Sequence, residues 1–351
     1  ISIPEGVTSI GFQAFIECTG FDGKLIIPET VTNIGGSAFS GCTGLTGDLN
    51  IPSKITNIED QTFSSLGCSG TLTFPTNLKT IGSRSFQGTN FKCQLNLPQS
   101  LTTIKSSAFS SSSFTGNLNL PINLETIEYS AFRNCKGFTG SLTIPNKIKT
   151  ISYEIFSDCS GFNGNLILPT EITEIENRAF YNCNRLKGTL LIPEKVTTIG
   201  HDSFFNCTSF TGSLRLPNSL ATINNRAFSF CSGFQGDLNI PSSVVTLGNN
   251  VFEGCEGFDG QLTIGTRLTT IGDSVFRNCK HLTGELNIPN QVTTIGNNAF
   301  RQCSNLNGAL HLPSNLKTIG DNAFFFCSKL IGDISIPEGV TSIGFQAFIE
   351  C

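Results

Sequence analysis

The residues with the greatest chemical potential are fourteen cysteines. Twelve of them, Cys18, Cys42, Cys135, Cys159, Cys183, Cys207, Cys231, Cys255, Cys279, Cys303, Cys327 and Cys351, stand three residues after a phenylalanine. On stacked coils such side chains lie parallel and about 4.8 Å apart, whereas a disulfide draws its Cβ atoms to about 3.8 Å. They therefore read as small buried hydrophobes. Cys68 and Cys93 fall at other phases of adjacent coils, where the usual column holds Leu66, Thr89 and Ser112. A disulfide between Cys68 and Cys93 stays open, conditional on an oxidising compartment. No C-x-x-C or H-x-x-x-H spacing supports a zinc site. His201, His281 and His311 occupy different phases and read as solvated surface residues. No catalytic residue, metal or cofactor is expected, and glycine follows turns rather than a phosphate loop.

What positions these residues is a repeat. All 14 prolines, from Pro4 to Pro337, lie on one lattice with a step of 24, shortened to 23 three times between Pro52 and Pro121. Gly265 stands where a further proline belongs. The unit Pro28–Ile51 carries its apolar residues at Val31, Ile34, Ala38, Phe39, Cys42, Leu45, Leu49 and Ile51. That spacing is neither a helical stripe nor a long strand. It reads as a coil: a strand at L-x-I, a proline turn, an extended V-T-x-I, a short helical turn at A-F and a glycine-rich return. One coil cannot bury its own apolar faces, so coils must stack. The expected fold is a repeat solenoid with a continuous parallel β-sheet, one array of about fourteen to fifteen units over residues 1–351, with Phe15, Phe39 and their equivalents as its spine.

The segment LNIPNQVTTIGNNAFRQC, Leu286 to Cys303, resembles the leucine-rich repeat of the BspA-like type, and copies in phase cover the whole chain. The resemblance implies a leucine-rich-repeat solenoid exposed on a cell surface or secreted, in proteins associated with adhesion, matrix binding and aggregation between cells. It brings no shared catalytic residues. Gly265 and the shortened units depart from the pattern and put regular curvature there in doubt.

Only 14% of residues are charged and the net charge is −4, with no basic run. A nucleic-acid partner is excluded on that footprint, and no apolar stretch is long enough to span a membrane. The residue between the two apolar positions of L-x-I faces outward by strand alternation. There stand Asn50, Thr73, Asn96, Asn119, Thr143, Arg215, Asn239, Thr263, Asn287 and His311, interrupted by Ile26, Ile167 and Leu191. This polar column is the candidate interaction surface for a protein or a glycan. A second column, from Thr80 and Thr103 to Thr294 and Thr318, reads as ordinary strand threonine. Asn206 in N-C-T is the one glycosylation signal, beside a buried-column cysteine.

Residues 1–18 and 334–351 are identical, 333 residues apart. Neighbouring units share only lattice residues, so this identity points to a longer tandem block of fourteen units. The chain reads as a non-enzymatic extracellular or cell-surface scaffold, a filament of such blocks that associates with itself by head-to-tail, coil-on-coil continuation. The alternative is a segment of an adhesin that binds matrix or cell-surface proteins or glycans.

Overall fold

The computed structural model describes residues 1–351, which form two compact units, Ile1–Glu171 and Ile172–Cys351. Each unit is a stack of coils joined by short parallel strands. Every strand is two residues long, so no strand is stable alone and the coil is held by its neighbours.

The V-T-x-I segment forms the more continuous ladder. In the first unit Asn57–Ile58, Thr80–Ile81, Thr103–Ile104 and Thr126–Ile127 pair side by side. In the second, Glu174–Ile175 begins a run through Thr198–Ile199 and Thr222–Ile223 to Thr246–Leu247. Another run extends from Thr270–Ile271 to Ser342–Ile343. The shortened coils keep this register. A proline turn precedes each segment, as where Val31 N–H donates to Pro28 O at 3.1 Å. Gly265 preserves that turn, with Leu268 N–H reaching its carbonyl at 3.4 Å.

The parallel solenoid expected from the repeat is present, but the helical turn at A-F is not: no helix occurs in the chain. Residues two before and two after each phenylalanine of the A-F site adopt left-handed backbone, Ser37 (φ 55°) and Gly41 (φ 75°) around Phe39 for example. Ala38, Ser40 and Cys42 donate their amides three residues back within their own coil. Ser37, Phe39 and Gly41 send theirs to the carbonyls of Asp60, Thr62 and Ser64 in the next coil. An α-helix would direct every amide four residues back. Here alternate amides leave the coil, so the segment is a train of tight turns that doubles as a hydrogen-bonded seam. Twenty-seven non-glycine residues take this conformation, each at a cost of about 1–2 kcal/mol, which the seam's hydrogen bonds must offset.

Phenylalanine rings fill the inside. Phe15 through Phe156 stack in the first unit, with Phe15 and Phe39 at 5.2 Å and 4°. Phe180 through Phe348 stack in the second, with Phe204 and Phe228 at 5.4 Å and 2°. A second set of rings, Phe210, Phe234 and Phe258, meets the second unit's spine edge-on. Offset-stacked and edge-on pairs add about 0.5–1.5 kcal/mol each beyond area burial.

Two substitutions test this account by urea unfolding. Phe228→Ala, at a ring with no exposure, should cost about 3–5 kcal/mol. Ser65→Gly, at an exposed left-handed residue (φ 53°), should stabilise by about 0.5 kcal/mol. A destabilised Ser65→Gly would show that this segment gains nothing from conformational relief.

Candidate functional site

The cysteine column has a more definite role than filling space. In ten of the twelve positions the turn train places the thiol so that its S–H points at the phenylalanine carbonyl of the preceding coil. Cys42 donates to Phe15 O at 3.0 Å and Cys159 to Phe132 O at 2.9 Å in the first unit. Cys231, Cys255 and Cys303 donate to Phe204 O, Phe228 O and Phe276 O at 3.0, 3.0 and 3.1 Å in the second. Where the column lacks cysteine, Thr89 donates instead to Phe86 O of its own coil at 2.9 Å. The 24-residue recurrence located these residues; only the carbonyl positions reveal their donor role.

Burial pushes the thiols of Cys231 and Cys303 up to about 12 and that of Cys135 to about 11, from an ordinary 9.0. Thiolate, the reactive form, is thereby suppressed. Below about pH 9 both folded and unfolded chains keep these protons. From there to about 12 the unfolded chain ionises while the folded one does not, so stability falls as pH rises.

Cys68 and Cys93 are free cysteines. Cys68 points into the core with its thiol 3.7 Å from Thr46 O, and burial raises it to about 11. Cys93 sits half-buried on the return turn. The three histidines are exposed and lie in different coils: His281 Nδ1 is 2.7 Å from Glu256 O, and His311 Nε2 is 3.7 Å from Glu285 Oε2. No three His, Cys, Asp or Glu side chains gather in a metal-binding group, and no helix is long and apolar enough to cross a membrane.

The candidate interaction column is exposed at every position: Asn50, Thr73, Asn96, Asn119 and Thr143 in the first unit, Arg215, Asn239, Thr263, Asn287 and His311 in the second. Its supporting ladder is divided into pairs of coils. Leu49–Asn50 pairs with Leu72–Thr73 and Leu142–Thr143 with Leu166–Ile167. Leu238–Asn239 pairs with Leu262–Thr263, and Leu286–Asn287 with Leu310–His311.

A slip on the return turn explains the division. Gln261 bridges to Thr283, two residues short of Glu285, its equivalent in the next coil. Gly284 and Glu285 are left to bulge between Leu262–Thr263 and Leu286–Asn287 and line a cleft of about 410 Å³. The same slip pairs Gly116–Asn117 with Phe138–Thr139. Beside Ser141 it leaves a cleft of about 290 Å³ between Asn119 and Thr143. Gly236 (φ 75°) and Gly284 (φ 83°) are left-handed, whereas Gly260 and Gly308 are not.

Short polar residues lock the coils of each pair. Gln261 N–H donates to Asp237 Oδ1 at 2.8 Å, while Gly236 N–H donates to Asp259 Oδ1 at 2.7 Å. Gly284 N–H reaches Asn307 Oδ1 at 2.9 Å and Gly140 N–H reaches Asn163 Oδ1 at 2.8 Å. In the first unit Thr71 donates through backbone N–H and hydroxyl to Asp48 Oδ1, which lowers that carboxyl below its ordinary value. The signal was present in the sequence as Asn or Asp before the glycine of alternate coils, at Asn163, Asp259 and Asn307. It is hidden under the stronger 24-residue period.

The coil and its columns agree with the sequence profile of the BspA type leucine rich repeat region (6 copies), which matches residues 1–115, 102–235, 188–307 and 235–351. The chain belongs to the BspA-type leucine-rich-repeat family. No curated protein matches it. Among solved structures, this BspA-type protein is similar to a leucine-rich repeat protein from Bacteroides ovatus ATCC 8483. The two share 25% identity with a TM-score of 0.71 over 98% of this chain and 80% of that one. It also shares its fold with a leucine-rich repeat protein from Eubacterium ventriosum ATCC 27560, at 18% identity and TM-score 0.50 over 100% and 82% of the two chains. The pneumococcal vaccine antigen PcpA shows the same fold at 20% identity and TM-score 0.50 over 98% and 93%.

The thiol column makes this BspA-type array sensitive to alkali. Urea unfolding free energy should hold up to about pH 9 and then fall. The double variant Cys231→Ala with Cys303→Ala should show a shallower fall, by about 1.4 kcal/mol per thiol per pH unit. Identical slopes for variant and parent would remove the column as the cause.

Proposed function

We propose that this BspA-type protein is a non-enzymatic scaffold outside the cell or on its surface, built from tandem blocks and extended into a filament by coil-on-coil continuation. The observation that carries the reading is the return of ISIPEGVTSIGFQAFIEC after 333 residues, in the same phase of the coil. A block that returns to its first coil in phase repeats without a change of packing rule. The turn seam supplies the directional chemistry of such continuation. Inside the second unit, Phe345 N–H donates to Asp321 Oδ1 at 2.6 Å and Phe324 N–H to Ala347 O at 2.8 Å. The family, whose repeats present surface rather than a pocket, supports the placement outside the cell and the absence of catalysis.

A second reading, an adhesin segment that binds matrix or cell-surface proteins or glycans, is favoured by the exposed Asn and Thr columns and their clefts.

The test is sedimentation and negative-stain electron microscopy of the chain across a concentration series, with the reduced mass of the protein from its native source. Rods that lengthen with concentration, or a native mass of several 333-residue blocks, are expected. A single-chain mass throughout, with short particles only, would overturn the filament.

A further inference from the structure

We propose that the L-x-I face of the second unit binds an uncharged, extended β-linked polysaccharide laid along the stacking direction, with two coils to each disaccharide. This rests on the reading of the chain as a surface scaffold and names a ligand class for its exposed column.

The first support is hydrogen-bonding capacity that the fold leaves unengaged. Asn239, Thr263 and Asn287 are exposed, and no hydrogen bond holds their side chains. Other polar columns of this unit are occupied. Thr197, Thr293 and Thr341 hydroxyls donate to the carbonyls of Thr173, Thr269 and Lys317. Asn249 and Asp273 accept backbone amides of the next coil at 3.0 and 2.7 Å. The T-I strands also carry exposed threonines without a side-chain hydrogen bond, Thr246 and Thr270, but free amides in line with a free hydroxyl occur at Asn239, Thr263 and Asn287, and these supply both the donors and the acceptors that a polyhydroxyl ligand needs.

Charge narrows the ligand. Asn239, Thr263 and Asn287 are neutral, Arg215 and His311 flank them along the column, and the cleft beside the three is edged by the Glu285 carboxylate, 3.7 Å from His311 Nε2, in a protein of net charge −4. A sulfated or uronic polymer would meet that carboxylate, whereas a neutral one is complementary to the face. The cleft sets Leu262 and Ile264 beneath polar edges at Gln261, Thr263 and Asn287. That combination offers apolar contact to the C–H face of a pyranose and hydrogen bonds to its hydroxyls. No aromatic or arginine anchor of the kind that dominates protein interfaces stands among these three positions.

Periodicity selects the linkage. Asn239 and Asn287 are two coils apart, each in the first coil of a pair and each following a left-handed glycine, Gly236 and Gly284. Two coils advance about 9.6 Å at about 4.8 Å per coil. A β-1,4-linked hexose ribbon presents like groups at alternate rings, once per disaccharide, on a closely similar repeat. A coiled α-linked chain does not keep that line.

Calorimetric titration of the full chain with chitohexaose and cellohexaose tests this, with maltohexaose and a heparin hexasaccharide as comparators. At least one β-linked hexamer should bind saturably and both comparators should not. Thr263→Val with Asn287→Leu should weaken binding about tenfold or more. These side chains make no internal hydrogen bond, so the melting temperature should stay unchanged and confirm that the variant folds. The proposal is overturned if neither β-linked hexamer binds at about 10 mM, if the variant binds as the parent does, or if heparin binds equally. Filaments that persist without glycan binding would sink this inference alone. Loss of both would sink the scaffold reading with it.

Discussion

A coil of some two dozen residues cannot satisfy its own backbone, and this structure is organised by where the surplus amides and carbonyls go. They go one coil along. The T-I strands do this by parallel pairing, and the turn train does it by releasing alternate amides such as Phe39 N–H to Thr62 O. A backbone group left buried without a partner costs as much as a lost hydrogen bond, so each coil needs the next one in register. The stacked phenylalanines and the cysteine donors follow from that register, because identical phases place identical side chains one above another.

The same requirement accounts for features that look costly in isolation. Left-handed residues such as Phe230 (φ 61°) and Phe326 (φ 61°) persist because the seam fixes the backbone whatever the side chain. Glycine at Gly320 answers a neighbour rather than a turn: a Cβ there would stand 2.7 Å from Asn297 Oδ1, the group that accepts Asp321 N–H. The backbone of Asn297 lies closer still, its N at 2.6 Å, and Gly35 meets the backbone of Phe12 in the same way, so it is the close approach of successive coils that calls for glycine at this phase.

Surface chemistry is what remains once these internal demands are met. Thr197 and Thr293 are exposed or half-exposed, yet their hydroxyls are engaged by carbonyls of the adjacent coil. The Asn and Thr of the L-x-I column stay free because their strand hydrogen-bonds through backbone alone. Division of that strand ladder into pairs sets clefts between them, so the column is a periodic surface with a repeat of two coils rather than one.

The coil, its parallel stacking, the phenylalanine spine, the burial of ten of the twelve in-phase cysteines and the outward column from Asn50 to His311 were all legible in the sequence, whereas Cys18 is half-buried and Cys351 exposed. Each follows from apolar spacing and strand alternation within one repeat. The short helical turn was not, because A-F spacing suits a helix and a train of turns equally, and only the amide partners in the next coil distinguish them. Nor was the pairing of coils, which depends on Gln261 bridging Thr283 instead of Glu285. Such a slip is a choice between two registers of nearly equal local composition. One-coil properties are written in one coil's residues, whereas relations between coils are decided when the backbone of each meets its neighbour.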